Sequence, residues 1–392
     1  MKLIPEIVSR QATHTAWRRD IHAHPELAYE EHRTAELVAE KLTAFGIPIE
    51  TGIGRTGVVG TIRNGASDRA IGLRADMDAL ALQEYNEFGH RSQHDGVMHA
   101  CGHDGHTTML LAAAEYLAAN RNFDGTVHVI FQPAEEGEAG AKAMMDDGLF
   151  ERFPMSAVYG LHNWPGHQVG KMATRQGPIM AAMDVFEVTI KGRGGHAALP
   201  HLVVDPILVG AQLVNQWQSI VSRNVNPIEA AVVSVTQFHA GDAWAVVPNE
   251  VVLRGTVRTF HPATRDLVKK RMRQIADGLC AGNDCELDWW YEHRFPPTIN
   301  SAAETDAAAL AAKSLLGDAN FNHDVEPSTG SEDFGYMLEE KPGCYVFIGN
   351  GSSDGGCLLH NPHYDFNDEI IPIGASYWVE LVQQELSRGR EL

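Results

Sequence analysis

Disulfides, membrane spans and a basic surface are all missing from this sequence. Five cysteines in 392 residues are too few, and odd in number, for a disulfide framework. Free thiols in a reducing compartment are expected, and with them a cytoplasmic location. No run reaches the roughly 18 apolar residues of a membrane-spanning helix. The opening stretch, MKLIPEIVSRQATHTAWRRD, has no long apolar core of the signal-peptide kind. Cationic residues are also scarce: 31 Lys plus Arg against 51 Asp plus Glu leave a formal charge of -20. That sign argues against nucleic acid or an anionic membrane as partner.

What is present is the composition of an ordinary globular protein, 44% hydrophobic and 21% charged. The length is more than one core normally organises, so two domains are expected.

Apolar, β-rich runs recur at 57–62, 70–74, 125–132, 157–161 and 345–349, with an amphipathic stretch at 33–45 before them and helical patterns at 105–120 and 140–147 between them. Strands alternating with helices predict an α/β domain with a largely parallel sheet. The middle of the chain differs. Strand-like runs at 184–191, 231–238, 251–260 and 286–293 enclose helical patterns at 205–222 and 263–280. The order is β-α-β-β-α-β, that of a small ferredoxin-like domain. After Pro296-Pro297 an Ala-rich helix, 302–316, and the CYVFIG strand return to the first pattern. The expected architecture is therefore one α/β domain, 1–181 with 298–392, interrupted by an inserted domain at 182–297.

Chemistry-bearing residues gather where strands end. Asp76 and Asp78 close the AIGLRA run, Glu135 and Glu136 follow GTVHVIFQ, and His162 ends SAVYGL. Open α/β sheets place their ligand crevices at such carboxyl ends. Between the first two strands MHACGHDGHTT carries Cys101 and His103, which in an extended segment point the same way. Thiolate beside imidazole suits zinc or another late first-row metal, and the carboxylates also admit manganese. Near the C-terminus LHNPHYDFND supplies His360, held in a loop by Asn361-Pro362. Cys280, Cys344 and Cys357 read as core filling. Among 20 histidines, His22, His24, His99, His106 and His363 read as structural or supporting groups rather than ligands.

Taken together these motifs resemble the M20 metallopeptidase family, in its amidohydrolase branch of hippurate hydrolases, auxin-conjugate hydrolases and N-acetyl-diaminopimelate deacetylases. The resemblance runs through RADMDAL at 74–80, MHACGHDGHTT at 98–108, FQPAEEG at 131–137, LHNWPG at 161–166, GGHAALPH at 194–201, GSEDF at 330–334 and LHNPHYDFND at 359–368. It implies two divalent ions per subunit, zinc or manganese, held by Cys101, His103, Glu136, His162 and His360, with Cys101 or a water as bridge. It implies Glu135 as general base and Asp76 and Asp78 as supports of the metal shell. His196 falls on the histidine that stabilises the oxyanion, often across a dimer, and Arg258 on the arginine that grips the substrate carboxylate. The inserted domain would be a lid and dimerisation domain, giving a homodimer.

One departure bears on the substrate. Ala245 stands where the family often has an asparagine that helps to hold that carboxylate, and Asn249 is the nearby alternative. The implied activity is hydrolysis of N-acyl-L-amino acids, hippurate-like or indoleacetyl conjugates, to a carboxylic acid and a free amino acid. A small N-acetyl deacetylase is the alternative within the family, and a catalytically silent metal-binding protein the alternative outside enzymology.

Overall fold

The computed structural model describes residues 1–353 and 358–387; Cys357 lies outside them. The chain divides into two compact units, Met1–Ile179 with Ile299–Glu326 and Asp333–Leu392, and Met180–Thr298 with Pro327–Glu332.

The first unit is built on an eight-stranded sheet. At its centre Gly125–Gln132, Ala70–Asp76, Ala157–Trp164 and Gly343–Gly349 lie side by side and parallel. Helices cover the sheet, so these strands read as continuous apolar runs; every residue of Ala70–Asp76 is buried. Helix His103–Ala119 is apolar nearly all round because it is enclosed. It packs against the C-terminal helix Ile371–Glu385 and the N-terminal helix Gln11–Ala23. That N-terminal helix was not anticipated from the sequence, since polar and charged residues, including buried His14, Arg18 and His22, interrupt its apolar face.

The second unit is a four-stranded antiparallel sheet in the order Ala231–His239, Glu250–Thr259, Ala182–Lys191, Glu286–Phe295. Residues of Ala182–Lys191 alternate between buried and half-buried, as a sheet covered on one face requires. Helices Pro206–Arg223 and Pro262–Gly282 provide the cover, with Trp217 wholly buried among Phe186, Met272 and their neighbours. Each helix opens on a proline, which has no N–H to leave unsatisfied, and Asp205 caps the first through Ile207 N–H at 2.9 Å. Among the described residues no helix is long and apolar enough to cross a membrane.

Candidate metal centre

Three adjacent parallel strands of the first unit bring their carboxyl ends together. Asp76 is the last residue of its strand, and Glu135 and Glu136 come three and four residues after Gln132. His162 does not end its strand, as the sequence suggested, but sits inside Ala157–Trp164. The apolar pattern stops at Leu161 because the site, rather than solvent, begins there. Cys101 and His103 are likewise not in an extended segment: Gly102 is left-handed, with φ 97°, and His103 opens the following helix. Glycine permits that turn, and a Cβ at Gly102 would strike the Asn163 side chain. His360 also has positive φ, 60°, and its N–H donates to the Ala100 carbonyl at 2.7 Å, which seats the C-terminal loop beside Cys101.

The ligating atoms of Cys101, His103 and His162 lie within 4.8 Å of one another, and so do those of Cys101, Glu136 and His360. Cys101 is common to both groups. A third set, His103, Glu135 and Glu136, overlaps them.

Hydrogen bonds around the imidazoles leave the right nitrogens free. His103 Nδ1 donates to the Asp78 carbonyl at 2.9 Å, and His162 Nδ1 to the Asn163 carbonyl at 2.6 Å. Both Nε2 atoms are thereby left facing the cluster, an arrangement usual for metal-bound histidine. His103 Nε2 is buried without a hydrogen-bond partner. Glu136 Oε1 is too, although His360 Nε2 lies 3.2 Å away. Cys101 Sγ lies 3.4 Å from His162 Nε2. Donor atoms this closely spaced, two of them without a hydrogen-bond partner, fit ligands converging on a cation, and the sulfur, nitrogen and oxygen set suits zinc or manganese.

Electrostatics point the same way. Burial disfavours charge on His103, but Asp76, Asp78 and Glu136 override it and raise the imidazole to about 10. For Cys101, burial and the neighbouring Glu136, Glu135 and Asp76 push the thiol well above its usual value. Burial and His106 hold His162 well below the ordinary range, so it is neutral. The cavity thus concentrates negative charge, which a divalent cation would neutralise.

Behind the ligating atoms stands a shell of buried polar groups. Asp76 accepts from His106 Nδ1 at 2.6 Å and from Arg74 at 2.7 Å. His106 Nε2 is 2.8 Å from Asn163 Oδ1, and Asn163 donates to the Tyr364 hydroxyl at 2.6 Å. Asp78 Oδ2 accepts the Glu136 N–H at 2.9 Å, and Asp333 N–H donates to Glu135 Oε1 at 3.3 Å. Sequence reasoning missed Arg74, Asn163, Asp333 and Tyr364, all of which lie inside the motifs already quoted. Deeper still, the wholly buried Arg18 reaches Asp365 at 2.8 Å and Asp368 at 2.7 Å, pinning the loop that carries His360.

The second unit carries the remaining candidates. His196 is exposed on a two-residue strand paired with Val246–Val247. Its Nδ1 accepts the Ala198 N–H at 3.1 Å, which leaves the ring proton on Nε2. The amide oxygen of Asn249 accepts from Gly194 N–H at 2.9 Å and braces the His196 turn. Arg258 is half-buried and donates to Ser331 Oγ.

Residues 72–384 match the description of peptidase family M20/M25/M40. The chain belongs to that family. This M20 chain is 44% identical over 386 residues to the hippurate hydrolase of Campylobacter jejuni, covering 98% of the chain and 100% of the hydrolase. It is 39% identical to the IAA-amino acid hydrolase ILR1-like 4 of Arabidopsis thaliana, over 94% of the chain and 84% of that protein. Among solved structures, the Bacillus subtilis YxeP protein, a dinuclear metal-binding peptidase of the M20 family, superimposes with a TM-score of 0.84 at 34% identity. The match covers 96% of this chain and 99% of YxeP.

Proposed function

We propose that this M20 chain is a cytoplasmic, homodimeric amidohydrolase that cleaves N-acyl-L-amino acids of the hippurate or indoleacetyl type. One observation carries the proposal: two sets of ligating atoms share Cys101 and abut the Glu135 carboxylate. Cys101, His103 and His162 would hold one divalent ion, zinc or manganese, and Cys101, Glu136 and His360 the other. When bound, such ions bring the pKa of a coordinated water from about 15.7 towards about 7 and polarise a carbonyl.

The chain's own groups do the rest. Glu135 accepts the proton of the attacking water and returns it to the leaving amine, held in place by the Asp333 N–H. Asp78 fixes both His103 and Glu136, and Asp76 fixes His106. His196, with its proton on Nε2, donates to the oxyanion. Arg258 pairs with the α-carboxylate, and Asn249, whose amide oxygen braces the His196 turn, offers its NH₂ as a second donor. The exposed Val232 and Phe238 on the edge strand and Leu208 on the covering helix offer an apolar surface for a homodimer.

The test combines metal analysis with hydrolysis of acetyl, benzoyl and indoleacetyl amino acids. Two equivalents of metal and preferred cleavage of the aromatic conjugates are expected. Preference for acetyl substrates would make it a small N-acyl deacetylase. Metal binding without hydrolysis of any of them would leave a silent binding protein.

A further inference from the structure

Glu31 is wholly buried, far from the ligating atoms in sequence, and none of the chemistry above uses it. Its carboxylate nevertheless accepts three hydrogen bonds. Oε1 takes the N–H of Tyr29 and the N–H of Ala134, each at 2.9 Å, and Oε2 takes the Thr56 hydroxyl at 2.5 Å.

Ala134 is the residue before Glu135, and its backbone is left-handed, with φ 55° and ψ 42°. For a residue with a Cβ that conformation is unfavourable, and it persists only where surrounding contacts impose it. Here it turns the chain abruptly out of Gly125–Gln132, so that Glu135 and Glu136 face the cluster rather than continuing the strand. The two ends of this tripeptide are held by two carboxylates: Ala134 N–H by Glu31, and Glu136 N–H by Asp78 at 2.9 Å. The bracket extends further along the turn. The Tyr29 hydroxyl donates to the Glu138 carbonyl at 2.9 Å, and Arg55 stacks on the Tyr29 ring at 4.0 Å.

We infer that Glu31 is a positioning residue for Glu135: by accepting the Ala134 N–H it holds the left-handed turn that aims the general base, while Asp78 separately aims Glu136. The inference rests on Glu135 being the base. It predicts that loss of Glu31 damages the turnover step and leaves the metal in place.

The test uses the full-length, zinc-loaded enzyme and a benzoyl amino acid substrate. Glu31→Ala should lower kcat about 10- to 100-fold, as loss of a supporting hydrogen-bond partner does, with KM within about threefold and zinc content unchanged. Glu31→Gln should keep kcat within about threefold. Its amide oxygen can accept both N–H groups, and its NH₂ can donate to the Thr56 hydroxyl.

Adding Ala134→Gly to Glu31→Ala separates aiming from bulk stability. Glycine adopts the left-handed conformation freely, so kcat should recover about five- to thirtyfold. Relief of the left-handed backbone meanwhile offsets the lost methyl, so the Tm should stay near that of Glu31→Ala. Should Glu31→Ala not fold, Glu31→Asp carries the same comparison, because a carboxylate one methylene shorter cannot span Ala134 and Thr56 together.

Turnover by Glu31→Ala within threefold of the parent, or a kcat that does not recover in the double variant, overturns the inference. Glu135→Gln keeps the two ideas apart. Full turnover there removes the base itself. An inactive Glu135→Gln alongside a fully active Glu31→Ala removes only the positioning role.

Discussion

The two sets of ligating atoms that share Cys101 are built from similar residues in unlike surroundings. Cys101, His103 and His162 are all buried. Each imidazole in that set is fixed by a backbone carbonyl, with Asp76, Asp78, His106 and Asn163 close behind. In the other set the side chain of His360 is 54% exposed, on a loop residue with positive φ, and Glu136 follows a strained turn. An inner set that is dry and rigidly supported should hold its ion tightly. An outer set open to water should exchange its ion and admit substrate. The lesson is that ligand identity gives the type of metal, whereas burial and support give how firmly it is held.

The largest effect expected is on turnover. Glu135→Gln keeps the shape of the side chain but cannot accept the water's proton, so kcat should fall about 100- to 10,000-fold. Both metal equivalents should remain, because Glu135 is in neither of the two sets that share Cys101. Loss of one equivalent in elemental analysis would show that Glu135 is a ligand and that the two sets are not separate.

Next come two substitutions that should part the sets. Cys101→Ser removes the shared thiolate, so dialysed protein should lose most of both equivalents, whereas His360→Ala should lose only one. Equal losses in the two variants would dissolve the distinction between an inner and an outer ion.

Proton release sharpens it further. In the metal-free protein His103 is raised to about 10 and the Cys101 thiol lies well above its usual value. Both protons must leave when the inner ion binds, so at pH 7.5 uptake should release about two protons, and affinity should tighten as pH rises towards about 10. His360 is also raised, chiefly through its contact with Glu136. Calorimetry in buffers of different ionisation enthalpy measures the count. Uptake with no proton release would mean that the inner set does not bind the ion.

The smallest effect concerns the second unit. Ala245→Asn should restore a hydrogen bond to the substrate carboxylate, about 1.5 to 3 kcal/mol, and so lower KM by about tenfold or more for acids but not for the matching amides. An unchanged KM for the acids would assign carboxylate recognition to Arg258 without help from position 245.

Local chemistry along the chain carries its own meaning, and most of the architecture was legible there. Apolar runs of strand length, the alternation in 184–191 and the amphipathic helices are consequences of period and burial within a dozen residues. So was the gathering of Asp76, Glu135, Glu136 and His162 near strand ends, since a buried strand stops being apolar where it meets a site. What the sequence could not decide depends on backbone angles and on partners distant along the chain. The left-handed Gly102 that makes His103 a helix residue, and the extension of strand Ala157–Trp164 past His162, follow from neighbours the local pattern does not contain. The N-terminal helix with its buried Arg18 went unread, because that charge is matched by Asp365 and Asp368 at the other end of the chain. The hydrogen bond from Ala134 to Glu31 spans 103 residues. Period and propensity act over a few residues; a buried charge or a strained turn is stable only when folding brings its partner to it, and that tertiary structure alone decides.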